Sequence, residues 1–328
     1  MRLLAAEMIK QALPMAQAIE ALRQAFRLAH EGQAVVPLRS SLPIAPFGGT
    51  MLTMPAFLAG LGERGALGEK IVNIFPHNPE RNLPLIQALY ILHQADTGQL
   101  LALLEGATLT AIRTGAASGL AADYLARREA RTLGLIGTGA QAYCQVEALR
   151  CLRPIRRVLL YNRTPAKAEA LALRLQRAWG LSASVLDDPD EVAAQAEVLI
   201  TATSSKNPVF SGEAVRAGAT VIAIGAFTPE ARECDDVLIA RARLYVDARE
   251  AALAEAGELL IPIQQGLISE SDIVAELSEL VTGAAPGRQN EREIIMFKSV
   301  GLALEDLAAA YLAYRNAVTQ KLGREVDW

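Results

Sequence analysis

Two different hydrophobic periods share this chain of 328 residues. Apolar positions first recur at helical spacing over residues 15–30. They then give way to extended stretches broken by Pro and Gly through residue 68, and to strand-like runs at 70–75 and 87–94. That order predicts an α+β region. Beyond Leu109 the pattern changes to a long helix of small residues over 110–127, followed by short apolar runs at 132–136, 157–161, 197–202, 219–224 and 243–247, with helical stretches between them. Apolar runs that do not alternate, spaced by helices, mark parallel strands covered on both faces. The middle of the chain therefore reads as a doubly wound α/β sheet. Asp187-Asp188-Pro189-Asp190-Glu191 reads as a loop and helix start. After residue 257 the pattern gives helices, a loop over 283–290, and an apolar, alanine-rich helical stretch over 293–315. No repeat or low-complexity segment interrupts this order.

Composition limits the function classes. With 52% apolar residues the chain buries a large core and makes two domains. No apolar run reaches membrane-spanning length, and Glu7 and Lys10 break the opening stretch, so neither a membrane role nor a signal peptide is expected and the cytoplasm is the default location. A net charge of −4 argues against a polyanion partner, and Arg127, Arg128 and Arg131 read as a solvated connection; no nucleic acid is expected. Cys144 and Cys151 lie seven apart on a predicted helix and, with Cys234, read as packing thiols. His30, His77 and His93 are scattered without metal-ligand spacing, so no metal is expected.

Candidate chemistry enters at 132–142. An apolar strand runs into Gly137-Thr138-Gly139-Ala140-Gln141-Ala142 and then a helix. Gly137 permits a tight turn, Gly139 lets the backbone approach a pyrophosphate, and the small Ala142 lets helix pack on strand. Phosphates would sit at the helix N-terminus beside Thr138, Ala140 and Gln141. The next strand ends in Asn162-Arg163-Thr164, where an NAD site usually carries an acid for the ribose 2′-hydroxyl. Asn162 removes the repulsion of a 2′-phosphate, and Arg163 and Thr164 can donate to one, so NADPH is the expected cofactor. The competing reading makes Arg163 a solvated turn residue on an NAD site. Thr203, at the end of the run 197–202, is expected to line the nicotinamide side.

Several phrases together resemble the ornithine cyclodeaminase/mu-crystallin family. They are Gly49-Thr50-Met51-Leu52-Thr53-Met54-Pro55-Ala56, Gly68-Glu69-Lys70, Ala111-Ile112-Arg113-Thr114-Gly115-Ala116-Ala117-Ser118, the glycine turn, Val246-Asp247-Ala248-Arg249-Glu250, and the stretch from Lys298 to Leu307. The resemblance implies a Rossmann domain over 116–299 and a discontinuous α+β substrate-binding and dimerisation domain made of 1–115 with 300–328. It implies a homodimer, with substrate in the cleft between the domains. It assigns Lys70 as the active-site lysine and Arg113 as the holder of the substrate carboxylate. Arg39 is a third candidate cation, Met54 a candidate substrate contact, and Thr114 and Ser299 candidate cofactor contacts. The competing reading of Lys70 is a solvated strand-edge lysine, of Arg39 a surface loop residue, and of Arg113 a buried ion pair.

One departure bears on the reaction. Family members that deaminate or cyclise ornithine carry an aspartate after the strand near residue 224, where this chain reads Gly225-Ala226-Phe227-Thr228-Pro229-Glu230. Phe227 takes the aspartate's place, so the general base for oxidising an amino acid is missing, while a protonated cyclic imine accepts hydride without one. Phe227 would instead give the ring an apolar wall. The competing reading has Phe227 as ordinary packing, with Glu230, Asp235 or Asp236 supplying the acid. The expected activity is NADPH-dependent reduction of a small cyclic imino acid, Δ1-pyrroline-2-carboxylate or Δ1-piperideine-2-carboxylate, to L-proline or L-pipecolate. The alternatives are an ornithine cyclodeaminase or alanine dehydrogenase-like enzyme, and a non-catalytic, mu-crystallin-like NADPH-binding protein.

Overall fold

The computed structural model describes residues 1–327 and divides into two compact units, 1–113 with the segment from 302 onward, and 114–301. The division falls inside the helix Gly106–Leu125.

The first unit is built on an eight-stranded sheet. Its order is Arg324–Glu325, Arg2–Leu4, Leu100–Glu105, Ile86–Gln94, Ala66–Ile74, Gly49–Leu58 and Ala34–Val35, with Ser40–Ile44 also paired to Gly49–Leu58. All pairs are antiparallel except Arg2–Leu4 with Leu100–Glu105. Side chains alternate across a pleated strand. Along Ala66–Ile74, accordingly, Ala66, Gly68, Lys70 and Val72 are buried while Leu67, Glu69, Ile71 and Asn73 are half-buried. The helix Ala303–Gln320 packs on the three strands Gly49–Leu58, Ala66–Ile74 and Ile86–Gln94, and against the helix Met15–His30. That last helix buries Met15, Ala18, Ile19, Leu22, Ala25 and Phe26, a stripe at the spacing its sequence predicts.

The second unit is a parallel eight-stranded sheet in the order Ser182–Val185, Arg157–Tyr161, Thr132–Ile136, Val198–Thr201, Thr220–Ala223, Ile294–Lys298, Ala242–Val246 and Ile273–Glu276. The chain's first strand in this sheet, Thr132–Ile136, lies between its second, Arg157–Tyr161, and the later Val198–Thr201, which is the Rossmann switch point. The fold class is thus the expected one: α/β, with a Rossmann unit and an α+β unit.

The helical reading of 293–315 is corrected. Ile294–Lys298 is a strand in the interior of the Rossmann sheet, with every residue buried between Thr220–Ala223 and Ala242–Val246. A short apolar run has the same appearance in a fully covered strand as in a helix. Gly301, at φ +81°, precedes the helix, which begins only at Ala303. The thiols are also corrected, since Cys151 is exposed and Cys144 half-buried, and only Cys234 is buried. Among the described residues no helix is long and apolar enough to cross a membrane.

Candidate active site

In the first unit the sheet register builds a row of side chains. Met54 on one strand faces Lys70 on the next, and Lys70 faces Tyr90 on the third. Met54, Lys70 and Tyr90 are only 3%, 2% and 0% exposed. The helix packed on this face brings Glu305 and Asp306, both fully buried. Lys70 Nζ donates to Asp306 Oδ2 at 2.7 Å. Arg113 Nε donates to Asp306 Oδ1 at 2.9 Å, and its Nη1 to Glu305 Oε2 at 2.5 Å. The competing reading of Arg113 as part of a buried ion pair therefore describes a contact that exists. The guanidinium retains further N–H donors, and both charges of the pair are needed to keep a fully desolvated cluster neutral.

Burial pulls the Lys70 pKa down to about 8, with Asp306 opposing the shift and the charges of Arg113 and Arg39 adding to it. Lys70 is not a solvated lysine. Burial opposes the Arg113 charge too, but Asp306 and Glu305 outweigh it and hold its pKa above the ordinary value. Burial, with Asp306 and Glu69 adding, holds the Tyr90 phenol well above its usual range. Arg39 is half-buried just ahead of Ser40–Ile44, and its field reaches Lys70. The sequence reading assigned no role to Glu305, Asp306 or Tyr90. Adjacent carboxylates inside an apolar, alanine-rich helix were a signal for a buried cation partner.

In the second unit the glycine turn has the geometry its residues predict. Gly137 has φ +96°, and a Cβ there would fall 2.5 Å from the Ala202 carbonyl oxygen. A Cβ on Gly139 would meet nothing within 4 Å, which leaves open space over the turn. Ala142 is buried at the start of the helix Ala142–Leu152. Thr138 Oγ1, Gln141 Oε1 and Thr114 Oγ1 are buried without a hydrogen-bond partner among the described residues. Buried polar groups usually have partners. The Thr138 hydroxyl, beside an open glycine ahead of the helix Ala142–Leu152, suits a pyrophosphate oxygen, and the Gln141 side-chain carbonyl oxygen, which only accepts, suits a water bridging to it; Thr114 lies within the helix Gly106–Leu125. At the second strand end Asn162 Nδ2 donates to the Thr164 carbonyl oxygen at 3.0 Å, while Arg163 and Thr164 are exposed.

Thr203, half-buried, donates from both its amide and its hydroxyl to Glu233, at 2.6 and 2.7 Å. Ser299 Oγ donates to Asp247 Oδ2 at 2.9 Å, and the same oxygen accepts from the amides of Val300 and Gly301. Phe227 is half-buried in the loop after Thr220–Ala223. Of the three acids offered in place of the aspartate, Asp235 caps the Leu238 amide and accepts from Gly212, Asp236 pairs with Arg232, and Glu230 is exposed in the turn. No group of His, Cys, Asp and Glu suited to a metal ion occurs among the described residues.

The likeness to known proteins runs the length of the chain. A Δ1-pyrroline-2-carboxylate reductase of Bacillus cereus is 42% identical over 297 residues, 90% of each chain. The solved structure of the Thermococcus litoralis Δ1-pyrroline-2-carboxylate reductase, in complex with NADH and L-proline, superposes with a TM-score of 0.96 at 37% identity, covering 99% of this chain and 100% of that one. An archaeal alanine dehydrogenase dimer with bound NAD superposes with a TM-score of 0.92 at 35% identity, covering 100% of this chain and 99% of that one. The pattern of the ornithine cyclodeaminase/mu-crystallin family matches residues 1–321, and the chain belongs to that family.

Proposed function

We propose that this protein reduces cyclic ketimines, Δ1-pyrroline-2-carboxylate to L-proline and Δ1-piperideine-2-carboxylate to L-pipecolate, with a nicotinamide cofactor and with NADPH in preference to NADH. The observation that carries the reaction is the full-length likeness to Δ1-pyrroline-2-carboxylate reductases. The NADPH preference rests on Asn162-Arg163-Thr164 alone, since the solved relatives hold NADH and NAD.

A bound nicotinamide supplies the hydride. Every other requirement falls to the chain. Arg113 grips the imino acid's carboxylate with donors beyond those committed to Glu305 and Asp306, and so fixes the orientation of C2. The Lys70 ammonium, with its pKa near 8, keeps the imine nitrogen protonated and balances the substrate's charge. Arg39 adds positive charge on the same side, and Met54 packs against the ring. Phe227 supplies an apolar wall in place of a carboxylate, which favours accepting hydride at an iminium over deprotonating an ammonium. Thr138, Gln141 and Thr114 hold the pyrophosphate, Thr203 and Ser299 the nicotinamide side. Residues 1–115 with 300–328 form the substrate and dimerisation domain of a homodimer, and 116–299 the cofactor domain.

The deciding assay follows NADPH oxidation with the five- and six-membered imines, beside ammonia release from L-ornithine and from L-alanine with NAD. Rapid imine reduction with little ammonia supports the proposal. Proline plus stoichiometric ammonia from ornithine, at a rate matching imine reduction, overturns it. Alanine oxidation at that rate would favour the reading suggested by the likeness to an alanine dehydrogenase.

A further inference from the structure

The second unit holds a buried charge network that none of the roles above uses. Glu233 is fully buried, and its carboxylate accepts four hydrogen bonds. Oε1 takes both from Thr203, one from its amide at 2.6 Å and one from its hydroxyl at 2.7 Å. Oε2 takes the Thr201 hydroxyl at 2.9 Å and the Gly225 amide at 2.7 Å. These donors come from the ends of two neighbouring parallel strands, Val198–Thr201 and Thr220–Ala223. In open α/β sheets, ligands bind outside the carboxyl ends of the strands. The loop after Gly225 has a second anchor: Lys298 Nζ donates to the Ala226 carbonyl oxygen at 2.6 Å and pairs with Glu258 Oε2 at 3.0 Å, while Glu258 Oε1 accepts from the Glu233 amide at 3.0 Å. Gly225 itself is squeezed into the clamp, since a Cβ there would lie 2.1 Å from the Thr203 carbonyl oxygen and 2.5 Å from Glu233 Oε1.

A buried carboxylate is costly unless donors surround it. The strand ladder already joins the two strands, so the carboxylate is not required for their pairing. What it adds is a fixed spacing between the loops beyond them. We propose that Glu233 is a positioning residue of the reductase: it bridges Thr203 to Gly225 and, with Lys298 on the next carbonyl, fixes where Phe227 and Thr203 present their side chains to substrate and cofactor. This rests on the roles given to Phe227 and Thr203 under the proposed function.

The test uses the full-length protein and the variants Glu233→Gln, Phe227→Ala and the double variant. Glutamine keeps the volume but turns an NH2 toward either the Thr203 or the Gly225 amide, so one loop is released. The expected result for Glu233→Gln is a folded protein that still binds cofactor, less tightly where the Thr203 loop is the one released, and a fall in kcat/KM for the five-membered imine on the order of 10²-fold, the scale of an ångström-sized misplacement. Because the two residues act through one loop, the double variant should lose clearly less than the product of the single losses. Wild-type turnover in Glu233→Gln overturns the proposal, as do losses that multiply in full where Phe227→Ala is itself impaired. Should Glu233→Gln fail to fold, Gly225→Ala forces the same two loops apart and must give the same pattern, or the proposal is wrong. Phe227→Ala separates the two readings. If it turns over normally, the wall assigned to Phe227 is lost, while a loss in Glu233→Gln that includes weaker cofactor binding still supports the clamp through Thr203.

Discussion

Arg163 carries the choice between a 2′-phosphate and a 2′-hydroxyl. It is exposed, and its neighbour Asn162 donates its amide to the Thr164 carbonyl, so among Asn162, Arg163 and Thr164 the guanidinium is the one formal charge. Arg163→Ala should weaken NADPH by about 1.5–3 kcal/mol, the worth of a hydrogen bond to a charged group, and leave NADH nearly unchanged. Titrations with the two cofactors check it, and better use of NADH than NADPH by the wild type would refute it. Lys70 gives a pH prediction. Its pKa in the folded protein is about 8 against an ordinary 10.5, so between those values the unfolded chain holds a proton that the folded chain has released. The Lys70 contribution to stability therefore rises with pH across that window, because the penalty of a buried ammonium is relieved. Activity runs the other way: the ammonium is the working form, so kcat/KM for the imine should fall as pH rises through about 8. Lys70→Arg, which stays charged, should lack that falling limb. Arg113→Ala leaves Asp306 and Glu305 buried without their guanidinium and should destabilise by about 3–5 kcal/mol, so it tests stability and substrate use together. Arg113→Lys keeps the charge and loses the planar fork. It should raise KM for the imino acid at normal cofactor affinity, and normal kinetics would remove Arg113 from carboxylate binding.

At the scale of elements, sequence and structure agree where the period is unambiguous. The runs 132–136 and 157–161 are strands over those residues, and 15–30 is a helix over those residues. Agreement stops where burial on every side erases the period. Ile294–Lys298 is apolar throughout because it is an interior strand, and nothing in its own composition separates it from the helix that follows. The site was legible to the same extent. The glycines stand in a short local phrase and could be named from it, whereas Lys70 and Arg113 are named through phrases that resemble the family's. Asp306 pairs with residues 236 and 193 positions away, and Glu233 acts through Thr201, Thr203 and Gly225, contacts that exist only once strands are adjacent. Phe227 lies between these cases. Its place in the loop was readable, but the disposition of Asp235 and Asp236 in a helix cap and an ion pair was not. With those two acids committed elsewhere, ornithine should release little or no ammonia, since a missing general base forfeits roughly 10²- to 10⁴-fold. An ammonia assay with NAD and L-ornithine checks it.

For the whole molecule, the sheet of the first unit poses the question of assembly. One face is covered by helices. The other, by the alternation of the strands, presents Phe57, Leu67, Ile71, Leu89 and Ile91, which are half-buried or exposed, Leu89 at 39%. Ile71 and Leu89 lie directly opposite each other on neighbouring antiparallel strands, so the apolar positions join across the ladder. The same face carries Glu69 opposite Ile91 and His93 opposite Leu67, so it is mixed, with apolar pairs at Phe57–Leu67 and Ile71–Leu89; stable interfaces bury roughly 800 Å² per partner of such surface. A homodimer that stacks this face against its copy removes its apolar pairs from water, and a carboxylate placed in the Ile71–Leu89 pair, in addition to Glu69, should undo the stack. Light scattering of the wild type at micromolar concentration should give the mass of two chains. Leu89→Glu should give the mass of one, because a carboxylate on the face must either be desolvated between two apolar sheets or hold them apart. A wild-type monomer with full activity would contradict the assembly. An intact Leu89→Glu dimer would leave the assembly standing and move its interface to another surface.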